Sequence, residues 1–273
     1  MPNSKGLPLK DSVAQQRLYV VGAPRLYAFP AAAESNTGAA VLIVPGGGYV
    51  RLPDTYGNNS TAKFFQSRGI SAFVVCHRLP NSPDLITRHT APLQDAQRAM
   101  RIIRANAERW GVDPTRVGVC GTSAGGHVSA TLGTHLNDVS AIGDELDSYS
   151  FSPAFMILIS GVLSMNEAVT HRVSRQSLLG DNPAPELVRE YSCEARVTAA
   201  TPPAFLVHAD NDNGVSPLNS VRFYQALKQA GVSSSLHIFP QGAHSIGVSN
   251  NPGSAQMWTT LCMEWLKEMK LVE

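Results

Sequence analysis

Short apolar runs and amphipathic stretches alternate along most of the chain, and the two kinds have different periods. Residues 39–44, 70–76, 117–120, 155–159 and 204–209 are mostly apolar runs bounded by proline, glycine or polar clusters. They are too short for helices and predict strands, with 39–44 buried on both faces. Residues 17–21 and 25–29, separated by Gly22-Ala23-Pro24, predict an early pair of strands, and 236–239 a last one. Between the runs lie stretches of helical period, the clearest at 92–110. There Leu93, Ala96, Met100, Ile103, Ala107 and Trp110 recur three or four apart, while Asp95, Arg98, Arg101, Arg104 and Glu108 take the other, solvated side, and Gly111 stops the pattern. Further helices are expected at 60–68, 126–134, 219–230 and 254–269. The last would turn Met257, Trp258, Leu261, Cys262, Trp265 and Leu266 inward. Strands alternating with helices imply an α/β fold: a mostly parallel sheet of about eight strands with helices on both faces.

Three stretches lack this regularity. Residues 1–16 read as a loose polar lead-in and 137–153 as a polar irregular connection. From 161 to 203 only short helical pieces are expected, near Ser177 and at 186–189. So long an excursion between strands reads as a functional cover rather than idle chain. A chain of 273 residues with 43% apolar content can bury a substantial core, and residues 1–273 read as one domain.

Charge narrows the partners. The 22 Lys+Arg against 21 Asp+Glu leave a formal +1, so no nucleic-acid or membrane-surface partner is expected. No apolar run approaches the length of a membrane span. The opening MPNSKGLPLKDSVAQQ has no apolar segment behind its basic residues, so a cytoplasmic location is expected; a secreted chain whose signal had been removed would read the same. Cys76, Cys120, Cys193 and Cys262 are scattered, and read as buried free thiols.

The chemistry is concentrated after strand 117–120. Gly121-Thr122-Ser123-Ala124-Gly125 is a G-x-S-x-G turn between a predicted strand and a predicted helix of small residues, the context this motif requires. Ser123 is the candidate nucleophile, held in a strained backbone on a turn too tight for a side chain at either glycine. A serine hydroxyl needs an adjacent base, itself oriented by a third group. Two later strands supply both in order. Strand 204–209 is followed by Asp210-Asn211-Asp212-Asn213-Gly214, and strand 236–239 by Pro240-Gln241-Gly242-Ala243-His244. Of eight histidines, His244 alone lies in a glycine-flanked loop after the last strand. His208, inside a strand, reads as packed, and His77, His89, His135, His171 and His237 have no comparable setting. Asp212 is favoured over Asp210 as the acid because it lies further past the strand end. The run Pro45-Gly46-Gly47-Gly48-Tyr49 follows strand 39–44, where the second part of an oxyanion hole belongs. Tyr49 and His127 are the candidates for substrate contact, although the reading preferred for His127 is a helix-start residue making local hydrogen bonds. With no HExxH, no CxxC and no acid–histidine cluster at ligand spacing, neither a metal nor another cofactor is expected.

From about Ala40 to Ile246 the chain resembles α/β-hydrolase esterases related to acetyl-xylan esterases and other carbohydrate deacetylases, at the edge of the hormone-sensitive-lipase and kynurenine-formamidase group. The resemblance is carried by Val44-Pro45-Gly46-Gly47-Gly48-Tyr49, the Gly69-to-Val75 run with Arg78-Leu79-Pro80, Pro92-Leu93-Gln94-Asp95-Ala96-Gln97-Arg98-Ala99, Gly121-to-His127, Thr201-to-His208 and Gly242-Ala243-His244. It implies the α/β-hydrolase fold, with Ser123 as nucleophile, Asp212 as acid, His244 as base and the backbone N–H groups of Gly47, Gly48 and Ala124 as oxyanion hole. It further implies a small-molecule or oligosaccharide ester as substrate, with an acetyl group on a sugar of xylan type foremost. An amidase or arylformamidase is the alternative reading. A binding protein of the same fold would lack part of the triad. The chain departs from the relatives' pattern at Asn211-to-Ser216, at Asp54-Thr55-Tyr56-Gly57 and at Cys76-His77-Arg78, all of which bear on the alcohol side of the pocket.

Overall fold

The computed structural model describes residues 3–54, 56 and 59–272, Ser245 by its backbone alone. Thr55 and Gly57 of the divergent 54–57 segment therefore lie outside the described residues.

The chain forms β1 (Ser12–Ala14), β2 (Arg17–Val20), β3 (Arg25–Phe29), β4 (Ala40–Val44), β5 (Leu52–Pro53), α1 (Ser60–Gln66), β6 (Ser71–Cys76), α2 (Ala91–Ala105), β7 (Val117–Thr122) and α3 (Ala124–Thr134). It continues through β8 (Met156–Ile159), α4 (Arg172–Leu179), α5 (Pro185–Glu190), β9 (Ala204–Ala209), α6 (Leu218–Gln229), β10 (Ser234–Phe239) and α7 (Trp258–Glu268). Seven strands make one sheet in the order β10-β9-β8-β7-β4-β6-β3, parallel throughout except for the β3–β6 pair.

About eight strands were expected in this sheet, and the difference lies in the early pair. β3 takes the edge of the large sheet, whereas β2 pairs with β1 and β5 in a separate three-stranded sheet. Leu18 and Leu52, directly opposite in that small sheet, are both buried in the core, which ties β2 to β5.

Alternation along the central strands divides the core in two. Ala40, Leu42 and Val44 face α2, α3 and α6, with Met100, Val128, Leu132 and Phe223 in the same cluster. Val41 and Ile43 face α1 and α7, with Phe65, Trp258, Cys262 and Leu266. Each Val, Leu, Ile, Met or Phe among them contributes about 1.5–3 kcal/mol by leaving water. Continuous apolar runs are what this double burial requires.

Several expectations of detail are corrected. The 92–110 helix stops at Ala105, because the Asn106 side chain bonds the Ile102 carbonyl at 2.8 Å and 108–110 form a separate 3₁₀ turn. Its charged side is not solvated: Asp95, Arg101 and Arg104 are buried. The cause is the irregular 137–153 stretch, which lies along it. Arg101 bonds Asp138, Ser140 and the Tyr149 carbonyl, Arg104 bonds the carbonyls of Ser150 and Ser152, and Arg98 pairs with Asp144 and Asp147. Burial pushes the Arg104 guanidinium down to about 10. The lead-in is tied down too, by Asn3 to Thr87, Ser4 and Leu7 to Asp84, and the Ser4–Leu85 bridge. At the C-terminus α7 begins at Trp258 after a 3₁₀ turn, so Met257 precedes the helical period and is 56% exposed instead of inward.

Candidate active site

β7 runs straight into α3, and the residue between them is Ser123, at φ 57° and ψ −123°. A positive φ on a serine costs on the order of 1–3 kcal/mol and persists only where its surroundings fix it. Here they do: the Ser123 N–H donates to the Ile159 carbonyl at 3.0 Å, and its carbonyl accepts from Val162 at 3.1 Å. The turn has no room for a side chain at Gly125, whose Cβ would lie 2.1 Å from the Val44 carbonyl oxygen.

The loop after β10 brings His244 to this serine. Its Nε2 lies 2.8 Å from Ser123 Oγ, and its Nδ1 2.7 Å from Asp212 Oδ2. With Nδ1–H donating to the carboxylate, Nε2 is left to accept the serine proton. The Asp212 side chain is fully buried and the His244 side chain one-third exposed. Asp210 is exposed, and the carboxylate on His244 Nδ1 is that of Asp212. Two backbone N–H groups, of Gly214 and Val215, reach Asp212 Oδ1 at 2.8 Å each. Burial alone would raise the Asp212 pKa, but hydrogen bonds from His208, His244 and Val215 outweigh it and hold the carboxyl well below its ordinary range.

The glycine run after β4 packs against the same turn. A Cβ on Gly46 would lie 3.0 Å from Ser123 Cβ, which measures how closely the loop passes the nucleophile. Gly47 has φ 146°, and a Cβ there would meet the Arg51 carbonyl oxygen at 1.9 Å, so only glycine fits. Ala124 is the first residue of the eleven-residue α3, so its N–H has no acceptor within the helix and stands at the positive end of the dipole.

Tyr49 and His127, the candidates for substrate contact, are both buried and bond each other. Tyr49 Oη lies 2.6 Å from His127 Nδ1, and His127 Nε2 lies 2.8 Å from the Tyr191 carbonyl. A carbonyl only accepts, so Nε2 carries the proton and Nδ1 accepts from the tyrosine. The bonds of the His127 ring are therefore long-range, not local as expected, and neither side chain presents a free polar group. Burial lowers the His127 pKa to about 4.

The divergent Cys76-His77-Arg78 segment is also internal. The Arg78 guanidinium pairs with the Asp95 carboxylate at 2.7 Å and bonds Gln94, which links two of the motifs quoted above.

Three contributors escaped the sequence reading. His208 is packed, as expected, but its Nε2 lies 3.3 Å from Asp212 Oδ2 as well as 3.0 Å from the Val215 carbonyl, and its Nδ1 faces Ser220 Oγ. The signal was its position four residues before the acid. Asn211 Oδ1 accepts from the Ala243 N–H and joins the acid loop to the histidine loop. His171, on the 161–203 excursion, has its Cε1 3.8 Å from the Cβ position of Gly48. No linear signal marks His171, since 123 residues separate it from Gly48. Among the described residues no group of three or more His, Cys, Asp or Glu could hold a metal ion.

Chemically the arrangement can generate a serine alkoxide equivalent beside backbone N–H groups, the combination that acyl transfer needs. The chain as a whole is similar to known proteins. The chain is 35% identical over 218 residues to an acetylxylan esterase of Xylanibacter ruminicola, covering 78% of this chain and 42% of that protein. It is 33% identical over 211 residues to the endo-1,4-beta-xylanase B of Butyrivibrio fibrisolvens, covering 77% of this chain and 33% of that one. The chain thus spans less than half the length of either. Among solved structures, an acetyl ester-xyloside bifunctional hydrolase from Caldicellulosiruptor lactoaceticus superposes with a TM-score of 0.83 at 34% identity, covering 92% of this chain and 89% of that one. An esterase of Thermogutta terrifontis, at 24% identity and a TM-score of 0.74, shares the α/β-hydrolase fold. The BD-FAE family model matches residues 27–227, a span that holds the glycine run, Ser123 and Asp212, and the chain belongs to the BD-FAE family.

Proposed function

We propose that this chain is a serine carboxylic-ester hydrolase that removes short acyl groups, acetyl foremost, from acetylated sugars of xylan type. The observation that carries the reading is the unbroken line of hydrogen bonds from Asp212 through His244 to Ser123. His244 Nε2 takes the Ser123 proton as Oγ attacks the ester carbonyl, and the N–H groups of Gly47, Gly48 and Ala124 hold the oxyanion. Collapse of the tetrahedral intermediate breaks the ester C–O bond, and the imidazolium gives its proton to the departing alcohol. Water, deprotonated by His244, then releases the acid from the acyl-serine. Asp212 stays ionised throughout and stabilises the imidazolium.

The sugar part of the reading is supported by the acetylxylan esterase and acetyl ester-xyloside hydrolase relatives. A cavity of about 320 Å³ at the flank of the glycine loop, in which Gln15, Gln16, Arg17 and Arg51 stand beside Leu52 and Pro53, supports an alcohol portion that offers both hydroxyls and carbon faces. The 161–203 stretch meets the same glycine loop through α4, where Val173 Cγ1 lies 3.8 Å from the Cβ position of Gly48.

The test is hydrolysis of p-nitrophenyl acetate, butyrate and octanoate, of an acetylated xylo-oligosaccharide and of N-formylkynurenine, by the wild type and by Ser123→Ala. Acetate release from the oligosaccharide, lost in Ser123→Ala, is the expected result. Preference for the formamide would replace the esterase reading with an amidase, and an active Ser123→Ala would remove the elbow from the chemistry.

A further inference from the structure

His171, on the 161–203 stretch, reaches the glycine loop from outside the catalytic line. It stands at the N-cap of α4 and is half-buried. Its Nδ1 is held by Ser174 Oγ at 2.8 Å, and Ser174 itself is fully buried, so the ring is fixed from behind. Its Cε1, the carbon between the two nitrogens, lies 3.8 Å from where a Cβ on Gly48 would be. Among the described residues Nε2 has no hydrogen-bond partner. The ring also lies within the field of the catalytic pair: its pKa is lowered by burial first and then by the charge on His244, against an opposing effect of Asp212.

We infer that His171 Nε2 is the contact that binds a sugar hydroxyl beside the ester, and so selects a carbohydrate as the alcohol portion of the substrate. This rests on the proposed function and names the group that recognises its substrate. A hydroxyl suits the position for a specific reason. Ser174 Oγ can donate to Nδ1 or accept from it, which leaves Nε2 a donor in one case and an acceptor in the other. A hydroxyl answers both, being donor and acceptor at once. The acyl group cannot be the partner, because an acetyl has no hydroxyl and its carbonyl oxygen is committed to the backbone N–H groups. Val173, 46% exposed with its Cγ1 3.8 Å from the same Gly48 Cβ position, provides the apolar surface beside the imidazole on which the carbon face of a sugar ring would rest.

The experiment compares two acetyl esters that differ in the alcohol, p-nitrophenyl acetate and mono-acetylated xylobiose, in wild type, His171→Ala and His171→Gln. A hydrogen bond of about 0.5–1.5 kcal/mol corresponds to roughly two- to tenfold. We expect kcat/KM for acetyl-xylobiose to fall by that factor beyond any fall for p-nitrophenyl acetate in His171→Ala, mostly through KM, with part of it restored in His171→Gln. A second readout needs no turnover of the sugar ester: free xylobiose should inhibit p-nitrophenyl acetate hydrolysis by the wild type and do so more weakly in His171→Ala. Equal losses on both esters, or none, would overturn the inference, as would unchanged inhibition by xylobiose. Wild type unable to release acetate from the sugar would overturn the functional reading and this inference with it, whereas sugar deacetylation indifferent to His171 overturns the inference alone. A variant that fails to fold is caught by its thermal melt, and Ser174→Ala, which frees the ring without removing it, then carries the test: it should lose part of the same discrimination.

Discussion

Asp212–His244–Ser123 and the Tyr191 carbonyl–His127–Tyr49 hydroxyl are both three-membered hydrogen-bonded lines centred on an imidazole, with contacts of 2.6–2.8 Å. Both run close to the N-terminal turn of α3. They differ in what flanks the ring. His244 has a carboxylate at one nitrogen and keeps part of its side chain in solvent, so an imidazolium there would be paired and hydrated. His127 is buried between a carbonyl and a phenol; the carbonyl favours the protonated ring only in part, neither group carries a negative charge, and burial takes its pKa down to about 4. The same connectivity thus serves to accept a proton in one case and to refuse it in the other, and the deciding factors are one carboxylate and one opening to water.

The most severe way to break the comparison is to make the first line resemble the second. Asp212→Asn replaces the anion by a neutral amide while keeping its size. It should cost on the order of 10⁴-fold in kcat on p-nitrophenyl acetate, because the amide both fails to stabilise the imidazolium and permits the wrong tautomer. Asp210→Asn, on an exposed side chain, should stay within about twofold. The reverse pattern would reassign the acid.

Next in size is the pH dependence that the buried ring imposes on stability. In the unfolded chain His127 binds a proton below about 6.5, but in the folded protein only below about 4. Between those values the unfolded state binds more protons, so stability rises with pH there. The contribution is complete above about 6.5 and lost as pH falls toward 4; the shift amounts to about 3 kcal/mol at 1.36 kcal/mol per unit. His135, its pKa lowered to about 4 by burial and then by Arg196, contributes with the same sign in the same window. Asp212, also lowered, has the same sign, but its contribution is lost only below about pH 4. Urea midpoints measured from pH 7 to pH 4 should fall in wild type and fall less in His127→Gln. Equal slopes would mean that the folded ring is readily protonated.

How far these lines could be read from sequence follows from their sequence distances and surroundings. Ser123, Asp212 and His244 sit in loops that each follow a predicted strand, and strand order alone indicates that such loops gather at one end of the sheet. The central strands are legible because burial on both faces leaves few polar positions in them, and none in Ala40–Val44. By contrast, the polar side of α2 looked solvated because its partners, Asp138, Ser140 and the carbonyls of Tyr149, Ser150 and Ser152, come from a stretch with no period of its own. His127 looked local because a single sequence does not show that Tyr49, 78 residues away, meets its ring.

A smaller perturbation sharpens the second line. Tyr49→Phe deletes the hydroxyl that donates to His127 Nδ1 and leaves that nitrogen buried without a donor, at a cost of about 1–3 kcal/mol. The thermal midpoint should fall by several degrees, at about 2–4 °C per kcal/mol for a chain of this size class.

The smallest predicted effect belongs to His208, which connects the two ideas because it is a buried histidine that nevertheless touches the anion. Its Nε2–H is shared between the Val215 carbonyl and Asp212 Oδ2, the same oxygen that His244 uses. Removing it takes one charge-assisted donor from the carboxylate and leaves the Asp212 loop held by the two backbone N–H groups. Such a bond is worth about 1.5 kcal/mol, so His208→Ala should lower kcat roughly tenfold while KM for p-nitrophenyl acetate changes little. A purely structural role predicts something different, namely a lower thermal midpoint with kcat per folded molecule preserved. His208→Gln separates the two, since its amide N–H can still donate toward Asp212: recovery of kcat in His208→Gln would identify the hydrogen bond, not the ring's bulk, as what holds the acid in line with His244.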